Sequence, residues 1–370
     1  MLTWLELTWL IWLLLYFVFD LLLYLSFLNI PDHCYPQKEH KKLSVIIAAK
    51  NEANLLKKNL PFILKQHHPE FEIVIVNDQS DDETLNILKT FAQNYSNLKI
   101  VNIKDGKASS KKNAVQKGIE IAKYEHLVFT DADCKPLSHN WLSEIQHYYK
   151  DKNSIILGFS PYQKKRGFLN QLIRFETFIT ALNYFAYSNS GMSYMGVGRN
   201  LAYTKSLYNS LNGFKSHQHI LSGDDDLFIN QASASANFRL CLNPKTYVES
   251  QPETSFKSWL AQKRRHITTA PHYKVLHKYL LAFQYLTRLM FWGFVLPSTI
   301  LFEIENELSG WYISLLLVLL CTKMLINRKI FKKLLTKDLW LSQYFLEIIL
   351  VLFQFYLFMF NLLSPKKTWS

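Results

Sequence analysis

Apolar residues fall into two kinds of run along this chain. Leu7 to Leu28 is almost unbroken Leu, Trp, Phe and Tyr, enough for a helix of roughly 20 residues to cross a bilayer. Stretches of the same kind recur at Tyr285–Phe302, Trp311–Ile326 and Trp340–Leu363. The runs between the first and second of these are short and rich in Val and Ile. Leu43–Ala48, Phe71–Val76, Leu98–Val101 and Leu127–Thr130 read as buried strands. Helical patterns separate them: one starts after Asn51-Glu52 and ends near Gln66, and another covers Ala114–Ala122. Strands and helices alternating at βαβ spacing predict a mostly parallel sheet with helices on its faces. The pattern therefore predicts an α/β domain inserted between transmembrane helices.

Composition adds an orientation. The 370 residues carry a formal net charge of +13, and 49% of them are hydrophobic. No basic segment or small-residue cleavage site flanks the first apolar run, so it reads as an anchor and not a removable signal peptide. The insert is rich in Lys and Arg, as is the loop with Arg328, Lys329, Lys332, Lys333 and Lys337. The loop with Glu303, Glu305 and Glu307 has no Lys or Arg. Positive-inside bias puts the insert and the basic loop in the cytoplasm. Both termini then fall outside, against which Lys366 and Lys367 argue. Cys34, Cys134, Cys241 and Cys321 show no paired spacing, as expected of a reduced compartment. The basic excess fits a surface held against anionic lipid, and no nucleic-acid-binding motif competes with that reading. No Gly-x-Gly-x-x-Gly or Walker sequence follows a strand, which excludes the usual dinucleotide and P-loop enzymes.

The candidate chemistry sits at strand ends. Leu127–Thr130 runs into Asp131-Ala132-Asp133. If the extended geometry continues, both carboxylates point the same way; an Asp-rich turn is the alternative. Two such acids need a cation between them, and a divalent metal completed by diphosphate oxygens supplies it. Asp78 ends the second strand, either as a ligand-binding acid or as a cap for the next helix. Ser80, Asp81, Asp82 and Glu83 suit that helix's first turn. Asp224, Asp225 and Asp226 form a third acidic group, whose mutual repulsion helps one member accept a proton. An acidic first helical turn is the alternative there.

Several of these stretches together resemble the family 2 glycosyltransferases, which have the GT-A nucleotide-sugar fold. The stretches are Ser44-Val-Ile-Ile-Ala-Ala-Lys-Asn-Glu52, Val76-Asn-Asp-Gln-Ser80 and Asp131-Ala-Asp133. Lys111-Lys-Asn-Ala-Val-Gln-Lys-Gly118 resembles the family's Gly-Lys-x-x-Ala-Leu-Asn-x-Gly, with Ser110 for the first Gly and Gln116 for the Asn. Gly223-Asp-Asp-Asp-Leu227 is similar to Gly-Glu-Asp-x-x-Leu, and Gln262-Lys-Arg-Arg265-His266 to Gln-x-x-Arg-Trp. By layout the chain is most similar to the membrane-integrated cellulose, hyaluronan and chitin synthases and ceramide glucosyltransferase.

The resemblance implies roles. Asn51, Glu52, Asp78, Lys111, Asp131, Gln262 and Arg265 would bind the nucleotide sugar, expected to be a UDP-sugar. Asp133, with Asp131, would hold Mg²⁺ or Mn²⁺. Asp225 would be the base and Asp224 the stand-in for the family's Glu. Met195-Gly-Val-Gly-Arg-Asn-Leu-Ala-Tyr203 resembles the acceptor-side segment, which makes Gly198, Arg199, Asn200 and His266 the acceptor region. His266 stands where relatives carry an indole.

The expected layout is an anchor over 1–30, a cytoplasmic GT-A domain over 40–250, an interface helix over 251–280 and three spans over 281–370. Ser255–Thr268 reads as an amphipathic helix at the membrane surface, with Lys263, Arg264 and Arg265 toward lipid phosphates. Phe168, Leu172, Phe175, Ile179, Leu182 and Phe185 recur at helical spacing, as a core helix or an interfacial one. Asp20, Arg288 and Glu347 interrupt the spans; such groups face another helix or snorkel. Arg288 either marks the start of its span or pairs with Asp20 or Glu347.

The expected function is inverting transfer of a sugar to a membrane lipid or lipid-linked glycan, at the cytoplasmic face of the plasma membrane. The alternatives are a processive polysaccharide synthase and, from a different class, a catalytically silent membrane scaffold.

Overall fold

The computed structural model describes residues 4–32, 39–104, 110–220, 222–304 and 311–363. Cys34, Glu305, Glu307, Lys366 and Lys367 lie outside the described residues.

Seven strands make one mixed sheet: β1 (Leu43–Ala49), β2 (Phe71–Asp78), β3 (Leu98–Ile103), β4 (His126–Phe129), β6 (Ser154–Gly158), β7 (Leu201–Thr204) and β8 (Asn237–Cys241). A two-stranded sheet pairs β5 (Lys135–Pro136) with β9 (Val248–Glu249). The large sheet runs β3-β2-β1-β4-β7-β6-β8. Its first four strands are parallel, and β7 runs antiparallel to both of its neighbours. Val45 lies opposite Ile73 on one side and Val128 on the other. Strands covered on both faces have no solvent face to supply, which is why β1 and β2 read as continuous apolar runs. From β1 the chain builds outward to β2 and β3, then returns to place β4 on the other side. That reversal opens a crevice at the carboxyl ends of β1 and β4.

The covering helices in chain order are α1 (Trp4–Leu28), α2 (Ala53–Leu64), α3 (Thr84–Asn94), α4 (Lys111–Ile121), α5 (Trp141–Ile145), α6 (Phe168–Asn189) and α7 (Lys205–Ser210). They continue with α8 (Asp226–Ala232), α9 (Phe256–Ile267), α10 (Val275–Met290), α11 (Leu296–Ile304), α12 (Trp311–Lys333) and α13 (Gln343–Leu363). Helix α4 seats closely on β1 because Gly118 has no side chain. A Cβ there would lie 2.6 Å from Ile46.

Two local expectations need correction. Strand β4 stops at Phe129, and Asp131–Asp133 is a turn closed by the Cys134 N–H on the Asp131 carbonyl at 3.1 Å. The two acids share the crevice through turn geometry and not through a continued strand. Helix α3 begins at Thr84, so Asp81, Asp82 and Glu83 precede it. Asp82 there accepts from Thr84 N–H at 3.0 Å and Ala53 N–H at 3.2 Å, tying the loops after β2 and β1 together.

Helix α6 is core and not interface. Tyr184 donates to the Gly158 carbonyl at 2.7 Å, and Phe178 stacks on Phe331 of α12 with centroids 4.0 Å apart. Arg174 grips Asp338 with two hydrogen bonds, 2.8 and 2.7 Å, which fastens α6 to the α12–α13 connection. The helix is thus a wall shared by the sheet domain and the apolar helices.

Among the described residues, three helical stretches are long and apolar enough to cross a membrane: Trp4–Leu28, Val275–Leu301 and Gln343–Leu363. Helix α12, expected as a further span ending at Ile326, runs to Lys333. Arg328, Lys329, Lys332 and Lys333 are therefore helical and not a loop. The charges within these helices meet. Asp20 lies 3.2 Å from Arg288 and 2.6 Å from Lys323, while Glu347 lies 3.2 Å from Lys323 and 3.6 Å from Arg288. Arg288 is thus paired, and Lys323 is a partner that hydropathy reading passed over, since one Lys barely lowers a long apolar average.

Candidate active site

The acidic turn after β4, the end of β2 and the start of α4 converge at the crevice. Lys111, the first residue of α4, reaches Asp131 at 2.8 Å and Asp224 at 3.5 Å. It thereby joins the acids of the β4 turn to those before α8. Gly223, at φ +99, makes the turn into that acidic run, and a Cβ there would fall 2.5 Å from Leu227. Asp225 caps α8: one oxygen accepts from the Asp226 N–H at 2.8 Å and the other from the Gly198 N–H at 2.8 Å. Asp226 is buried at the wall and already engaged, accepting from Tyr273 at 2.7 Å and from Thr269. Of the three acids, Asp226 is the one spent on the fold.

Burial opposes ionisation of Asp131, but Lys111 outweighs it and holds this carboxyl below its ordinary range. Asp133 goes the other way: burial and then Asp131 push it up, against a 2.7 Å hydrogen bond from Ser250. Glu52 rises to about 7, through burial first and then Asp133, Asp131 and Asp82. Asp225 also rises to about 7, from burial and then from Asp224 and Asp226. Burial works against the Lys111 ammonium, yet Asp131, Asp224 and Asp225 hold its pKa raised.

These residues line a cavity of about 610 Å³ that extends well past the crevice. Eight carboxyl side chains line it against five lysines and arginines, so its charge is not closed by its own groups. Glu176, Thr180 and Asn183 of α6 continue the wall, followed by Gln262, Arg265 and His266 of α9. The lining also includes Leu281 of α10 with Leu350, Phe353, Gln354 and Leu357 of α13. His266 is exposed into this space. Its pKa is lowered by burial among protein groups and then by Lys263, Arg265, Arg199 and Lys111.

Two expected residues stay out of the cavity. Asn51, held at φ 56, accepts from the Asp81 N–H at 2.9 Å and bridges the loops after β1 and β2. Asn200 is fully buried and spent on the Phe159 and Thr246 carbonyls, at 2.8 and 2.9 Å, and on the Trp141 indole. The basic face of α9 is also committed: Lys263 meets Glu176 at 2.6 Å, and Arg264 donates to Asn361 at 2.9 Å while lying over Phe360. Opposing side chains on α6 and α13 take the place expected of lipid phosphates. Reading the motifs missed Ser250, which holds Asp133, and Tyr162, which lies under Arg199. Neither has a recognisable local pattern, because β9 and the loop after β6 reach the site only through the fold.

A divalent cation fits the acids present. Burial and then Asp131 raise Asp133, and burial and then Asp133, Asp131 and Asp82 raise Glu52, so like charge adds to burial at both acids. No group of three or more His, Cys, Asp or Glu is arranged to hold a metal among the described residues. Such an ion would need oxygens from substrate or water as well.

The family model for glycosyl transferase family 2 matches residues 44–207, and that for glycosyl transferase family group 2 matches residues 126–361. The chain is similar to a Bacillus subtilis protein named "Probable glycosyltransferase YdaM", 27% identical over 360 residues, covering 92% of this chain and 78% of that one. It is similar to the poly-beta-1,6-N-acetyl-D-glucosamine synthase of Staphylococcus epidermidis at 34% identity over 100 residues, 26% of this chain and 24% of that one. In fold it is similar to the mannosyltransferase PcManGT from Pyrobaculum calidifontis, solved with GDP-Man and Mn²⁺. The TM-score is 0.57 at 18% identity, covering 93% of this chain and 99% of that one.

Proposed function

This chain belongs to glycosyl transferase family 2 and is a glycosyltransferase of GT-A fold, and from that premise we propose that it moves a sugar, with inversion, from a UDP-sugar to a membrane lipid or lipid-linked glycan. Family membership sets aside the silent-scaffold reading. One observation carries the choice of acceptor: a single cavity joins the carboxylates at the sheet's edge to Leu350, Phe353 and Leu357 of α13, an apolar helix able to cross a membrane. An acceptor entering between those helices would meet Asp225 in the same cavity.

In the proposed step the acceptor oxygen forms a bond to the anomeric carbon as the bond from that carbon to the diphosphate breaks. The hydroxyl proton goes to Asp225, and the bonding electron pair leaves with the diphosphate. A base works best with its pKa near the working pH, and a value of about 7 meets that need. The N–H groups of Gly198 and Asp226 fix the orientation of its carboxylate. Lys111 orients Asp131 and stands beside the departing negative charge. Asp133, with Asp131, would hold Mg²⁺ or Mn²⁺, which when bound would offset the diphosphate charge. Asp78 ends β2 at the cavity wall and is the proposed contact to the nucleoside. Gln262 and Arg265 would meet the diphosphate from α9. The basic insert supports placing this domain on the cytoplasmic face of the plasma membrane.

The likeness to the poly-N-acetylglucosamine synthase keeps processive synthesis as a second reading. Incubating membranes with a panel of labelled nucleotide sugars, with and without EDTA, tests the proposal. Label entering a lipid extract from a UDP-sugar, and lost in EDTA, is expected. Label recovered only in long polymer selects the processive reading. No transfer from any donor contradicts both.

A further inference from the structure

Arg199 was expected among acceptor contacts, yet its surroundings belong to the donor side. Its guanidinium lies over the Tyr162 ring, 4.2 Å from the centroid. The Tyr162 backbone bridges to Ser250, and the Ser250 hydroxyl donates to Asp133 at 2.7 Å. Arg199, Tyr162, Ser250 and Asp133 are thus one connected group. Arg199 lines the cavity, and its Nη1 is buried with no hydrogen-bond partner. Gly198, just before it, is held on Asp225.

A buried N–H of a charged group left without an acceptor is costly. Stacking on an aromatic ring fixes the guanidinium plane without using its edge. The edge is therefore presented, preformed, to an acceptor that the protein does not supply. Carboxylates lie near, but Asp133 is turned to Ser250 and Cys134, at 2.7 and 3.2 Å, and Asp131 to Lys111. The missing acceptor is an oxyanion arriving with a ligand. Because Arg199 and Asp133 share one scaffold, that oxyanion is the one drawn to a cation at Asp133.

We propose that the Arg199 guanidinium binds the diphosphate of the sugar donor, donating to a phosphate oxygen. This rests on the nucleotide-sugar reading of the site. It removes Arg199 from the acceptor region and makes Tyr162 its positioning residue. The two cations would then meet the departing charge from separate elements, α4 and the segment before β7.

The test is titration calorimetry on purified full-length protein in MnCl₂, with UDP, GDP, uridine and dodecyl phosphate as probes. Arg199→Gln is expected to lose about ten- to a hundredfold in UDP affinity, the range of a charge-assisted hydrogen bond. Uridine affinity should be unchanged, and Arg199→Lys should recover part of the loss. UDP affinity kept in Arg199→Gln overturns the proposal. So does an equal loss for uridine and UDP, which marks a structural role. A loss confined to dodecyl phosphate places the guanidinium on an acceptor phosphate and also overturns it. Wild-type protein that binds neither UDP nor GDP removes the nucleotide-sugar reading itself, and this proposal with it.

Discussion

Two of the places where the molecule buries charge treat it in opposite ways. Between α1, α10, α12 and α13, Asp20 and Glu347 face Arg288 and Lys323, two acids against two bases, with every side chain less than a tenth exposed. Tyr16 adds its hydroxyl to Glu347 at 3.0 Å. The site cavity also buries acids and bases, but there the acids are in excess. A closed set, balanced in charge, fixes how helices pack. An open set is stable only with protons, a cation or a ligand completing it. Charge balance, more than the presence of charge, separates framework from working site here.

The largest effect should come from breaking the open set at its base. Asp225→Asn keeps the shape and one of the two backbone hydrogen bonds, from Gly198 or Asp226, but cannot accept the acceptor's proton. Transfer in purified membranes should fall by roughly two to four orders of magnitude, with UDP affinity unchanged. Near-normal turnover in Asp225→Asn and none in Asp224→Asn would move the base by one position.

Breaking the closed set should cost stability. Lys323→Met leaves Asp20 and Glu347 with one base between them. Leaving a buried charge uncompensated is worth about 3–5 kcal/mol in soluble proteins, which should appear as a lower thermal midpoint in detergent. The double change Lys323→Met with Glu347→Gln should recover part of it. A midpoint equal to wild type in Lys323→Met would mean that the cluster contributes nothing to packing.

A finer effect concerns pH. The base form of Asp225 is the active one, so the rate should rise as pH increases through about 7 and fall below it. Asp224 is a like-charged neighbour that raises this pKa. Asp224→Asn should therefore shift the rising limb to lower pH with a modest loss of rate. A limb that stays in place would show that Asp224 does not tune Asp225.

The sequence displayed the open set far better than the closed one. Asp78, Asp131 and Asp133 stand at the ends of apolar runs, and strand ends at a switch point meet in space whatever the rest of the chain does. Asp224–Asp226 announces itself as adjacent acids, though not that Asp226 would be engaged by Thr269 and Tyr273. The turn at Asp131–Asp133 was legible only as the alternative to a continued strand, since a strand pattern does not say where pairing stops. Lys263 and Arg264 looked like a lipid-facing surface because their partners, Glu176 and Asn361, lie on distant helices. The closed set was hidden for the same reason. Asp20 and Lys323 are near neighbours only after α1 and α12 have packed together.

The central claim is that the open set takes up substrate and the closed set does not. UDP binding in MnCl₂, measured by calorimetry on folded wild type, Asp133→Ala and Lys323→Met, tests it most directly. Lys323→Met, once folded, should bind UDP like wild type, while Asp133→Ala should bind weakly and not be restored by excess Mn²⁺. Wild-type affinity in Asp133→Ala, or an equal loss in both variants, would contradict it.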